Sequence, residues 1–419
     1  MTRVTIRGRL SALLTDIRPL QVSPDYRRLW FGTTVAQLGQ QMATVAIAIQ
    51  VYDITRSSFS VGLVGLFSLV PLVFFGLYGG AIADAMDRRR LALVASTGLW
   101  LLSLVLVLQA VLGLHHVGLL YVVVAVQSAC FAVNNPARSA IIPRLLPREL
   151  LPAANALSMA SFNLGFTVGP LVGAYLIHVG DFALAYGVDA VTFTASLYAL
   201  FRLPPIPPEG AVRRAGLASV LEGLRFLRTA PNLRTSFIAD MCAMVLAHPR
   251  ALFPAMALTV YAGTEATVGL LQSAPAIGAL VAFLLSGWVS RIRLHGRAIV
   301  VAVVVYGLAV GAVGLSDVLW FGVAFLAVSG AADMVSAAYR STMLQAAAPD
   351  AMRGRLQGVF TVVVAGGPRA GDFVLGSVAS VTSERGALMI GGLACVVGVL
   401  ITVLLQRRFL TYDARHPIP

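Results

Sequence analysis

The chain contains no lysine. All 31 basic side chains are arginine, and only 12% of the residues are charged against 58% hydrophobic. A soluble protein averages about a quarter charged, so this composition does not supply a water-facing surface. Cysteine is scarce as well. Cys130, Cys242 and Cys395 lie far apart inside apolar segments, which excludes a disulfide framework or a cysteine metal motif. There is no GxxxxGK[ST], no HExxH and no Cys/His cluster. ATP-driven pumping by this chain alone is therefore not expected, nor is a cofactor or a metal, and no nucleophile–base spacing points to an enzyme. The N-terminus lacks a short apolar core with a small-residue cleavage site, so residues 1–28 read as a tail and not as a signal peptide.

What is present is a succession of apolar runs of about 20 residues, the length of a membrane-crossing helix. Twelve are counted: 29–52, 60–82, 91–114, 118–141, 157–176, 182–201, 235–261, 268–288, 298–315, 318–344, 356–381 and 387–405. Ten or eleven is the alternative if a glycine-rich run is re-entrant. The fold class is thus an all-α membrane protein. The net charge of +13 would suit a nucleic-acid partner, but the arginines sit in the turns between apolar runs, so none is expected. Placing the N-terminus inside puts only Arg56 and Arg385 in outside loops. Arg138, Arg250, Arg340 and Arg369 lie within or at the edge of spans, and the rest fall on the cytosolic face. His115, His116 and His178 fall in outside loops and read as solvent-exposed.

The division is a tail (1–28), a six-span half (29–201), a linker (202–234), a second six-span half (235–405) and a tail (406–419). The linker opens on Pro204, Pro205, Pro207 and Pro208. It continues with Leu217, Val220, Leu221, Leu224 and Leu227 at helical spacing, an amphipathic interfacial helix. The halves repeat. Arg138-Ser139, Pro147 and Asn155 are matched 202 residues later by Arg340-Ser341, Pro349 and Gln357, and Gly165 and Gly169 by Gly367 and Gly371. Repeated membrane halves mark alternating-access carriers.

The stretch GGAIADAMDRRR, with Gly80, Asp84, Arg88 and Arg89, and the span-five run with Gly165, Gly169, Pro170 and Gly173 carry a resemblance. The chain resembles the major facilitator superfamily over its whole length. NNPARSAIIPRLLPRELLPAANAL and STMLQAAAPDAMRGRLQG are similar to its enterobactin-exporter and macrolide-efflux branch. The resemblance implies twelve helices in two pseudo-symmetric bundles in a bacterial cytoplasmic membrane. It also implies export by rocking of the halves, driven by protons. The alternatives are an importer of the same fold and a non-transporting scaffold or sensor. The expected partners are a small-molecule substrate, protons and lipid, with the chain working as a monomer.

Site candidates follow from the rule that an ionisable group in lipid is costly unless paired or wet. Asp240, Asp333, Asp189 and Asp372 are the proton-coupling candidates. The structural alternative for them is a salt bridge to Arg250, Arg340 or Arg369. Arg369 and Asp372, three apart, can neutralise each other. In the family, spans one, four, seven and ten line the cavity, which makes Gln37, Gln41, Asn134 and Arg250 cavity candidates. Asp84 is expected to latch the halves through Arg355 or the start of span eleven, with a local pair to Arg88 as the alternative. Gly165, Gly169 and Gly173 share one helix face and form a seam where helices approach closely.

Overall fold

The computed structural model describes residues 16–207 and 217–415, apart from the side chains at 77–85, 217–220, 290, 350–351, 353–355, 357–358 and 361. Gly80, Asp84 and Arg355 are among those exceptions, so the proposed latch lies outside the described side chains.

Apolar composition and the absence of water in a bilayer leave the helix as the way to satisfy each backbone amide within its own segment. Twelve rods result among the described residues. They are α1 (Pro24–Thr55), α2 (Ser58–Ala85), α3 (Arg88–Val111), α4 (Val117–Leu145), α5 and α6 (the two arms of Leu151–Phe201), α7 (Pro231–Leu246, continued irregularly to Val260), α8 (Glu265–Leu284), α9 (His295–Val313), α10 (Leu319–Ala347), α11 (Asp350–Val381) and α12 (Glu384–Leu405). Polar caps start several of them. Ser23 Oγ accepts from Tyr26 N–H, Asp87 Oδ1 from Arg90 N–H and Ser383 Oγ from Gly386 N–H. The linker helix Leu217–Thr229 precedes α7. Leu227 is buried, and Leu221 and Leu224 are exposed, as an interfacial helix requires.

The expected loop between spans five and six is not a loop. Two helices within residues 151–201 meet at Asp181, whose φ of 78° and ψ of 172° interrupt the helical backbone, so the connection is a break of a single residue. That region is close to glycine-only. The Asp181 carboxylate accepts the next amide, Phe182 N–H, at 2.5 Å, and the second arm follows directly.

The two ends of the described chain, at residues 16 and 415, and the described parts of the linker gather at one end of the bundle, here the terminal end. There Arg88 N–H donates to Ile206 O, and Ala414 N–H to Arg293 O. The opposite end is the far end. In the first half, α1 lies between the two arms of the bent rod. A Cβ on Gly165 or Gly169 would press on Gln37 or Gln41, and one on Gly173 would sit 2.7 Å from Met42 Cα. The glycine face of α5 thus packs inside its own half. The halves themselves meet through α2 on α11 and α5 on α8. Ser58 Oγ donates to Glu384 Oε1 at 2.9 Å, and His178 Nδ1 lies 3.5 Å from Glu265 Oε2. His178 is exposed, as expected, and is also one partner in a contact between the halves. These contacts lie in the far half of the bundle.

Candidate functional site

Three of the polar clusters buried among the described residues contain arginine. The first lies where α7 meets α10. Asp240 is buried and forms an ion pair with Arg340, which is 5% exposed. Arg340 also approaches Asp333, its other nitrogen 3.6 Å from Asp333 Oδ1. Asp333 and Arg340 are seven residues apart on α10, two turns on one face. Asp333 is 41% exposed at mid-helix. A carboxylate facing hydrocarbon is costly, so its exposure is read as contact with a wet space in the bundle. One cation with two acids is neutral when one of the acids holds a proton. Asp240 is tightly paired and closed off, and Asp333 is looser and reachable. A shallow pocket lined by Ser236, Phe237, Asp240, Arg340, Leu344 and Phe360 reaches the pair.

The second cluster sits where α7 breaks. Pro249 has no N–H to donate and its ring crowds the preceding turn. The α-helix stops at Leu246, followed by a 3-10 turn at Arg250–Leu252 and a π-helical turn at Met256–Val260. The freed groups find partners outside the helix. Tyr306 OH donates to Ala247 O at 3.4 Å, and Ala251 N–H donates to Asp372 Oδ1 at 3.2 Å. Arg250 lies over the Phe166 ring of α5 at 5.8 Å, reaching across to the other half. His248 has both ring nitrogens buried without partners. Arg369 and Asp372 do not pair directly. The Arg369 guanidinium turns back to Ala365 O, while Asp372 goes to the broken helix. Asp372 thus takes a backbone donor at the break, and Arg369 the carbonyl one turn back. Arg250, Arg369 and Asp372 together carry one excess positive charge beside the broken helix.

The third cluster is in the first half. Arg138 on α4 donates to Thr33 Oγ1 (2.6 Å), Ser96 Oγ (2.9 Å), Ser196 Oγ (2.6 Å) and Asn134 Oδ1 (3.1 Å). Asn134 is thereby inside the first half, bound to Arg138. Aligning the helix starts Pro24 and Pro231 puts Thr33 opposite Asp240, and the 202-residue offset puts Arg138 opposite Arg340. The two arginines are therefore pseudo-symmetric. One has carboxylate partners, and the other has only neutral oxygens. Arg138→Met is expected to destabilise the protein by about 1–3 kcal/mol, because four acceptors, three of them on buried residues, lose their donor. Thr33→Asp, which copies the Asp240 arrangement, is expected to be tolerated. Thermal melting in detergent distinguishes the two, and a stable Arg138→Met would refute the assignment.

Gln37 and Gln41 are half-buried against the α5 glycines. Arg88 and Arg89 serve their own half. Arg88 Nη1 donates to Ala140 O, and Arg89 donates to Leu200 O and Phe201 O at the end of α6. Asp189 lies in the core of the first half with Ser103. Thr33, Ser96, Ser103 and Ser196 were not anticipated from the sequence. Ser96 and Ser103 on α3, and Asp189 and Ser196 on α6, are each seven residues apart, a spacing that puts each pair on one face without singling it out.

Two repeated helical halves, tight glycine crossings and charged clusters inside the bundle are the arrangement of a membrane transporter. The family model described as transmembrane secretion effector matches residues 15–417, and the chain belongs to that family of the major facilitator superfamily. It is a multi-pass membrane protein. It is 28% identical over 407 residues to the enterobactin exporter of Citrobacter koseri, covering 97% of each chain. It is also 28% identical over 400 residues to that of Escherichia coli, covering 94% of this chain and 96% of that one. Among solved structures it is similar to a nucleoside transporter (TM-score 0.76, 12% identity, 91% of this chain and 100% of that one). It is likewise similar to a POT family transporter in complex with 5-aminolevulinic acid (TM-score 0.74, 12% identity, 92% and 97%). At that identity the structural likeness bears on the fold alone.

Proposed function

We propose that this transporter is a proton-coupled exporter of small amphipathic molecules, siderophore-like ones with acidic oxygens among them. It works in a bacterial cytoplasmic membrane with both termini cytosolic. The observation that carries the coupling is Arg340 shared by Asp240 and Asp333. Protonation of Asp333 leaves a neutral Arg340–Asp240 pair, and its loss restores a net negative cluster. The two states differ by one charge beside the buried Arg340–Asp240 pair, enough to bias a two-state rearrangement. The net positive cluster of Arg250, Arg369 and Asp372 supplies the complementary site for an anionic group. Export is supported by the exporter relatives, and the orientation by the arginine-rich turns of the terminal end.

The test is uptake into inverted membrane vesicles, with an imposed proton gradient and a catecholate siderophore, macrolides and lipophilic cations as substrates. Wild-type protein is expected to accumulate at least one of these only when the gradient is present. Asp333→Asn is expected to lose that accumulation while retaining exchange of labelled for unlabelled substrate, since binding and rocking survive without the proton. Full gradient-driven accumulation by Asp333→Asn would move the coupling away from this cluster. Accumulation only in right-side-out vesicles would make the protein an importer.

A further inference from the structure

Asp189 is used by none of these steps, yet it is 0% exposed at the centre of the first half. Its Oδ2 lies 2.6 Å from Ser103 Oγ, and its Oδ1 is buried with no partner. Ser103 Oγ is also 3.2 Å from Leu99 O, one turn back. A hydroxyl has one hydrogen, and a carbonyl oxygen can only accept. If that hydrogen goes to Leu99 O, the short contact to Asp189 needs a hydrogen from the acid. If it goes to Asp189 instead, a bare carboxylate oxygen remains in an apolar core with a single neutral donor, which is the costlier arrangement. Among the described residues no ionisable side chain of α1 or α3 faces it. α1 offers Gly39, whose added Cβ would lie 2.8 Å from Asp189 Oδ1, and α3 offers Ser103. The other ionisable groups around it are Tyr186 and Asp181 on its own rod, and Arg138 of α4 on the terminal side.

The surroundings of Asp189 are unequal on its two sides. Toward the far end, one turn along α6, Tyr186 OH donates to Gln50 Oε1 at 2.7 Å. Gln50 and Gln109 exchange amide hydrogen bonds at 3.0 and 3.1 Å. Toward the terminal end, two turns separate Asp189 from Ser196 and the Arg138 cluster. That gap is filled by a buried apolar cluster of Ala36, Leu99 and Phe193.

We propose that Asp189 is a second proton-binding site, loaded in this conformation and set in a polar file through the first half. The Leu99–Phe193 plug insulates this file from the terminal end. Oδ2–H donates to Ser103 Oγ, and Ser103 O–H donates to Leu99 O. The site is separate from the Arg340 cluster, and its loading is read without any transport.

Infrared spectra of the purified full-length protein at neutral pH test the loading. A carboxylic-acid C=O band is expected in the wild type. It should be lost in Asp189→Asn, shifted in Ser103→Ala and kept in Asp333→Asn. Asparagine keeps the shape and a donor for Ser103, so folding is not at issue. Identical bands in wild type and Asp189→Asn would overturn the assignment. The plug is tested in liposomes holding a pH-sensitive dye and no substrate. Leu99→Ser is expected to raise passive proton entry several-fold over wild type, and adding Asp189→Asn should return it to the wild-type rate. A leak that persists in the double variant would show that the protons bypass Asp189 and would sink the file.

Discussion

Asp240→Ala should lower stability toward the smaller end of the roughly 3–5 kcal/mol expected when one partner of a buried ion pair is removed. The reason is the second acid. Arg340 keeps Asp333 at 3.6 Å, but that carboxylate is 41% exposed and its attraction is partly screened. Asp240→Ala with Asp333→Ala removes both counter-charges from an arginine that is 5% exposed, and should reach the full penalty. Asp240→Leu with Arg340→Met takes the charges out together. Buried pairs replaced by apolar residues of similar size are often neutral or better, so this variant should melt near the wild-type temperature while transporting nothing. Thermal melting in detergent beside vesicle transport separates the two roles. Wild-type stability in Asp240→Leu alone would mean that Asp240 does not hold Arg340. Wild-type transport in the charge-free variant would mean that the cluster does no work in the cycle.

The architecture was legible because bilayer physics is coarse. Runs of apolar residues and a one-sided distribution of arginine define the rods and their alternation, whatever the side chains do in detail. The missed detail was the turn at Gly180-Asp181. A polar break between two apolar runs looks the same whether the chain forms a loop or bends at one residue. The second-half cluster was also within reach, because an acid or arginine inside a span is conspicuous, and Arg340 is one of the three arginines such an acid can pair with. The first-half cluster was not. Thr33, Ser96, Ser103 and Ser196 are short hydroxyl residues, which usually bond to their own helix. Nothing in their identity distinguishes those that instead solvate a buried arginine. Only the placement of Pro24 and Pro231 at the starts of α1 and α7 brings Thr33 into register with Asp240 and makes the asymmetry visible. The α5 glycines show the same limit from the other side. Their spacing required a close helix crossing, but whether the partner was α1 or a helix of the other half depends on tertiary packing that spacing does not encode.

Gly62→Ala should open the far end. On α2 an added Cβ would sit 2.6 Å from Asp372 O and 3.3 Å from the Cα atoms of Gly376 and Phe373, all backbone of α11. No rotamer change relieves a clash with backbone, so the two helices must move apart, and with them the two halves. Overpacking of this kind costs about 1–3 kcal/mol. Because it falls only on conformations with α2 and α11 in contact, it should shift the equilibrium away from them by about 5- to 150-fold. Gly76 lies on the same helix with nothing within 4 Å of its Cβ position, so Gly76→Ala controls for the change in helix propensity. Pulsed electron paramagnetic resonance between labels replacing Arg56 and Arg385, on either side of the far-end crossing, reads the outcome. The distance distribution should lengthen in Gly62→Ala and match the parent in Gly76→Ala, and gradient-driven transport should fall only in the first. An unchanged distance in Gly62→Ala would mean that α2 and α11 slide to accommodate the methyl group, and that their crossing does not hold the far end shut.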